Sequence, residues 1–326
     1  MAESLKRELS LKSRELSAVA IGGGTGLPII LASLKGVFTN VSAIVTVADD
    51  GGSSGRLRRE LGMPPPGDIR NCLVALANPD SKLASLFQYR FKEGSSLAEH
   101  SLGNLIIAAL VDTTRDFAEA IEVASGLLSV EGQVLPSTLE DVTLVASVKS
   151  GALVSGQAKI ARTPGLNFVQ LEPPFPKAYS PAVQAIKEAD LIILGPGSLF
   201  TSIIPNLLVE DISEAILSST GRKMYICNTV NQRHETRGLT ATDHLDALLS
   251  HARAAVTEEI MVNDFSRRET LERLARQGIQ PVTYDLDELN GRGVRVIVDD
   301  LADEDNPLHH DPAKLKALFQ REVIHG

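Results

Sequence analysis

The chain has 326 residues, of which 43% are hydrophobic and 22% charged, enough to bury a sizeable core in one large domain or two ordinary ones. A formal net charge of -9 and the lack of a Lys/Arg block disfavour nucleic-acid binding, and 4% aromatics with no tryptophan give little material for a base-stacking platform. Cys72 and Cys227 are far apart, each inside an apolar run, which reads as reduced core thiols in a reducing compartment.

Residues 1–17 form a charged N-terminal tail without the apolar stretch of a signal peptide, and no run reaches the length of a membrane span; the expectation is a cytoplasmic protein. Ala18 to Ile21 then reads as a buried strand that breaks into Gly22, Gly23, Gly24, Thr25 and Gly26 and restarts as a helix. Pro28 suits its first turn and Gly36 its end. Backbone amides at such a helix start favour phosphate. The spacing does not complete the dinucleotide fingerprint, and the first lysine afterwards, Lys35, is too distant for a P-loop. A tight packing turn is the bland alternative.

Val41 to Val47 reads as a second buried strand, ending in Asp49, Asp50, Gly51, Gly52, Ser53, Ser54, Gly55 and Arg56. The aspartates stand where a ribose-binding acid falls in a βαβ nucleotide fold. They could alternatively hold Mg²⁺ beside a phosphate that Arg56 neutralises. After a proline-stiffened approach, Asp68 reads as a helix N-cap or a ligand group, with Arg70 and Asn71 as donors. Asn104, following His100 and Ser101, is a further candidate donor. His100 is a candidate base, but spacing pairs no nucleophile with it.

Between about 130 and 175 short strands and turns predict a small β-rich sub-lobe. The parallel-sheet pattern returns at Asp190 to Leu194, followed by a third glycine-hydroxyl loop with Gly195, Pro196, Gly197, Ser198 and Thr201. Met224 to Cys227 delivers Asn228. Ligands collect at the carboxyl ends of parallel strands, so the three loops are expected to converge on one crevice. Helices at 268–276 and 312–319 and strands at 281–283 and 294–298 complete the pattern. His309, His310 and Asp311 read as a helix start that leaves a metal site open.

Together the Gly22–Gly26 turn, Thr46 to Arg56, Pro65 to Asn71, His100 to Asn104 and Leu194 to Ser198 make the chain resemble the gluconeogenesis factor family, the YvcK-like branch of the CofD-like group. The resemblance runs from about Ala18 to the C-terminal helix. It implies an α/β fold, Rossmann-like, with a mostly parallel sheet flanked by helices, as one domain over 18–326 with the sub-lobe inside it. It further implies binding of a UDP-sugar such as UDP-N-acetylglucosamine, a role in gluconeogenic growth and cell shape, and a protein partner in envelope regulation; homo-oligomerisation stays open. The family carries a glycine where this chain has His234 and an aromatic where it has Leu239. The competing reading is a CofD-like Mg²⁺-dependent transferase of phospholactyl or nucleotidyl groups, with Asp49, Asp50 and Asp68 on the metal. A nicotinamide dehydrogenase ranks third.

Overall fold

Short runs rich in Val, Ile, Leu and Ala have no polar face to give to water, so they stack side by side in the middle of the molecule, and a half-exposed run at 295–299 closes one edge of the seven. The computed structural model describes residues 15–92, 94 and 97–325. In chain order these runs and their connections are β1 (Ser17–Gly22), α1 (Gly26–Leu34), β2 (Asn40–Val45), α2 (Gly52–Leu61), α3 (Gly67–Leu76), α4 (Lys82–Gln88), α5 (Leu102–Thr114), α6 (Phe117–Leu128) and β3 (Gln133–Pro136). A small lobe follows with β4 (Thr143–Val148), β5 (Leu153–Ser155), α7 (Gln157–Ile160) and β6 (Leu166–Glu172). The chain then returns through α8 (Ser180–Glu188) to β7 (Leu191–Leu194), a π-turn (Leu199–Ile203), α9 (Ile204–Leu207), α10 (Glu210–Ser218) and β8 (Arg222–Ile226). It ends with α11 (Ala241–Ala252), β9 (Glu259–Asn263), α12 (Arg268–Arg276), α13 (Leu286–Asn290), β10 (Arg295–Asp299) and α14 (Pro312–His325).

The main sheet has the order β10-β9-β8-β7-β1-β2-β3 and every pairing in it is parallel. The chain runs outward from β1 through β2 to β3, then comes back to lay β7 on the other side of β1. That reversal opens a crevice at the carboxyl ends of β1 and β7. Helices cover the sheet, with α1 packed against α3 and α14, and α8 against α10. The mostly parallel α/β architecture expected from the sequence is therefore present.

Local differences have physical causes. Residues 133–136 fall in the range expected for the sub-lobe, yet β3 pairs with β2 in the main sheet; the antiparallel lobe is β5-β4-β6. Residues 52–56, expected as an open loop, are the first turns of α2, because Gly51 takes the extended conformation of a helix cap and the serines face inward. Of 281–283 only Pro281 makes a strand-like bridge, to Val230. Most of the N-terminal tail lies outside the described residues. No helix among the described residues is long and apolar enough to cross a membrane.

Candidate functional site

The β1 turn and the β7 loop are pressed together. A methyl on Gly26 would overlap the carbonyl of Pro196, so this glycine is required by space. Gly24, with φ of +64°, makes the left-handed step that turns the strand into α1. Asn206, fully buried, donates to the carbonyls of Gly22 (3.1 Å) and Ser202 (2.8 Å) and so pins the strand end to the helix beyond the π-turn. Asn228 clasps Gly197 from both sides, accepting its amide at 3.1 Å and donating to its carbonyl at 2.7 Å.

These loops form one wall of a cleft of about 780 Å³ lined by Gly24, Thr25, Gly26, Pro196, Gly197, Ser198 and Asn228. The facing wall carries Asn231 to Glu235, Arg237, residues 277–280 and His309. Arg233 and Arg237 are exposed there without an ion-pair or hydrogen-bond partner among the described residues. His234 is on the same wall, whereas Leu239 packs partly buried against the core. His310 is buried, and burial, with the nearby His309, pulls it down to about 4. Among the described residues no three His, Cys, Asp or Glu side chains converge as a metal site.

The third loop is held by a residue that spacing did not single out as a site group. Glu235, 5% exposed, accepts the amides of Phe200 (2.6 Å) and Thr201 (3.2 Å) and the Thr201 hydroxyl (3.2 Å). Burial pushes its carboxyl up to about 7 against these hydrogen bonds. Thr201 is therefore engaged by the protein itself. A carboxylate in a polar stretch beyond a strand has no local pattern that announces such a partner.

The second loop and its companions gather elsewhere. Asp49, Asp50, Gly51, Gly52, Ser53, Ser54, Gly55, Arg56, Asp68, Arg70, Asn71 and Asn104 are not among the residues lining the cleft. Instead of capping α3, Asp68 turns in its first turn to accept the Gly24 amide at 2.8 Å, which places it behind the β1 turn. Burial, and then the nearby Asp49, push its carboxyl up to about 6 against that hydrogen bond. Asp49 accepts the Gly51 amide (2.9 Å), and burial raises its carboxyl too; Asp50 reaches across to the lobe and accepts the Ala158 amide (2.8 Å). The Ser53 hydroxyl meets His100 Nδ1 at 2.8 Å and accepts from Asn104 Nδ2 at 3.0 Å, the pairing that spacing alone did not give. Arg70, 2% exposed, donates to Ser101 and to Asn71 Oδ1 (2.6 Å), and desolvation lowers it to about 10. Arg56 donates to the Ala98 carbonyl at 2.6 Å. Of the expected site groups, the Gly24–Gly26 turn, the Gly195 loop and Asn228 meet at this cleft, and Asp68 on Gly24 ties the second loop's companions to the back of the β1 turn.

Comparison with known proteins agrees with this architecture. Residues 18–302 match the family described as 2-phospho-L-lactate transferase CofD. The gluconeogenesis factor of Halalkalibacterium halodurans is 43% identical over 305 residues, covering 93% of this chain and 95% of that one. The gluconeogenesis factor of Bacillus subtilis is 44% identical over 301 residues, covering 91% and 95%. A crystal structure of a UPF0052 family member from Bacillus halodurans superposes with a TM-score of 0.89 at 42% identity, covering 94% of this chain and 99% of that one. The chain belongs to the CofD family and, within it, to the gluconeogenesis factors.

Proposed function

We propose that the cleft binds a nucleotide sugar of the UDP-sugar class, and that the protein is a cytoplasmic regulator whose loaded state, passed to an envelope-regulating protein partner, supports gluconeogenic growth and cell shape. One observation carries the reading: the Gly24–Gly26 turn lines the same cleft of about 780 Å³ as Arg233 and Arg237, two exposed arginines without a partner among the described residues. Amides at a helix start and guanidinium groups both bind phosphate oxygens, and the volume suits a ligand with two ring systems and a diphosphate. The names of the relatives support the gluconeogenic part of the reading.

A second reading, a CofD-like Mg²⁺-dependent transferase, is favoured by the half-buried carboxyls of Asp49 and Asp68, both raised by burial, with Asp68 on the β1 turn. For a metal, Asp49 and Asp50 each already give one oxygen to a backbone amide, and among the described residues no third acidic or histidine ligand joins them. Such a pair would suit Mg²⁺ only with phosphate and water completing the shell.

Calorimetric titration with UDP-N-acetylglucosamine, with and without Mg²⁺ and with GDP and NAD as controls, separates the two. Saturable, metal-independent heat with the ligand recovered unchanged is expected. Silence with the UDP-sugar and Mg²⁺-dependent binding of another nucleotide would move the assignment to the transferase.

A further inference from the structure

The amides at the π-turn that begins at Leu199 point at an anion that the protein supplies itself. The Glu235 carboxylate takes the N–H groups of Phe200 and Thr201 and the Thr201 hydroxyl. Three residues earlier, Gln232 Nε2 donates to the Ser198 hydroxyl at 2.7 Å. Between these attachments the chain is a single closed turn, because Gln232 donates its amide to the Thr236 hydroxyl (2.9 Å) and Thr236 donates its amide to the Gln232 carbonyl (3.3 Å). Arg233 lies inside that turn and Arg237 directly after it, both on the cleft wall.

The turn therefore hangs from the β7 loop by two side chains, of which only Glu235 is an acid and buried. Hydrogen bonds from amides to a carboxylate are roughly twice as strong as neutral ones, so Glu235 is the stronger of the two attachments. A ligand phosphate cannot share the same amides with a buried carboxylate, since two anions at one donor pair repel. On the glycine wall Asp68 takes the Gly24 amide in the same way, which leaves the amides of Thr25 and Gly26 as the cradle.

On the reading that the cleft takes a phosphate-bearing ligand, we infer that Glu235 is its positioning residue. Anchored to Phe200 and Thr201, its carboxylate holds Arg233 and Arg237 opposite the Gly24–Gly26 turn and, by filling the π-turn amides, confines the ligand's phosphates to the β1 side.

Two measurements on the full chain test this. The first, hydrogen exchange without ligand, compares the native protein with Glu235→Ala and Glu235→Gln. In Glu235→Ala the amides of 199–203 and of 231–237 are expected to lose protection together, tenfold or more, while β9 keeps its own. Glu235→Gln, which retains an acceptor oxygen, is expected to restore part of the protection, and it carries the test alone if the alanine variant does not fold. Unchanged protection over 231–237 overturns the inference whatever the cleft binds.

The second is a cycle of pyrophosphate affinities. Glu235→Gln and the double variant Arg233→Ala/Arg237→Ala should each bind at least tenfold more weakly, and the triple variant no more weakly than the double. Multiplying losses would mean that Glu235 does not act through the arginines, and would overturn the inference. Pyrophosphate binding without UDP-sugar binding fails the nucleotide-sugar reading and leaves the positioning role standing. A native chain that binds neither probe overturns both that reading and the confinement of phosphate to the β1 turn, and hydrogen exchange then decides the anchoring.

Discussion

Asp68 Oδ2 accepts the amide proton of Gly24 at 2.8 Å across 44 residues of sequence, so the turn expected to hold a ligand anion already holds an internal one behind it. Glu235 does the same at the π-turn. Both carboxyls are raised by burial above their unfolded values, to about 6 and about 7. Between those values and the ordinary carboxylate range the native state binds more protons than the unfolded chain. Their stabilising contribution is thus present at low pH and lost as pH rises through about 6 and 7, on the order of 2–3 kcal/mol each.

His100, His244, His251 and His310 act in the opposite sense, because burial lowers all four and the unfolded chain binds their protons first below about pH 6.5. That contribution is lost as pH falls. Urea unfolding from pH 5 to 8 should therefore show a shallow native profile. In Asp68→Asn and in Glu235→Gln the loss on acidification should steepen; profiles parallel to the native one would mean that these carboxyls titrate normally.

Gly26→Ala should destabilise the protein by about 1–3 kcal/mol, since the added methyl meets the Pro196 carbonyl of a packed loop and not a side chain that can swing away. Gly126→Ala is the control. It lies in α6 with nothing within 4 Å of the new methyl, and should stabilise by about 0.5–1 kcal/mol. Thermal unfolding of the two variants side by side checks the sign of each.

His251 fastens the small lobe. Its ring stacks on Phe168 of β6 (4.2 Å, 10°) and meets Phe200 edge-on (5.8 Å, 73°). Its Nε2 accepts the Val169 amide at 3.0 Å while Nδ1 donates to the Ala247 carbonyl at 2.6 Å, which assigns the neutral Nδ1–H tautomer. His251→Ala leaves the Val169 amide unpaired and opens a cavity, a loss of about 2–4 kcal/mol. Proteolysis confined to 143–172 before global unfolding would be the visible result.

Removing the two cleft arginines should lower affinity for the UDP-sugar and flatten its salt dependence, because exposed guanidinium–phosphate attraction is what added salt screens. Titrations of Arg233→Ala/Arg237→Ala at low and high ionic strength read both effects. An unchanged salt slope would place the phosphates away from this wall.

What the sequence made legible was whatever depends on near neighbours. The buried strands β1, β2, β7 and β8 were visible as apolar runs ending in glycine, asparagine or aspartate, and α12 runs over 268–276 as its apolar spacing predicts. Partner choice was not visible. Ser53 meets His100, Asp68 meets Gly24 and Asp50 meets Ala158 only because the crossovers bring distant helix starts together. Glu235 looked like one acid among polar residues, and only the amides left open at the π-turn explain why it is buried. Pairing of β3 with β2 was equally hidden, since a four-residue strand looks the same in either sheet.

The ladder between β1 and β7, from Ala18 with Leu191 to Ile21 with Leu194, is also a seam. Strands on one side of it come from the first part of the chain, those on the other from the second, and the cleft straddles the join. A molecule held by both walls rivets the two parts together, and by mass action at a hundredfold excess over its dissociation constant it adds about 2.7 kcal/mol against unfolding. Survival of the folded chain in the cell would then report ligand supply, and melting curves in lysate with added UDP-sugar would reveal it.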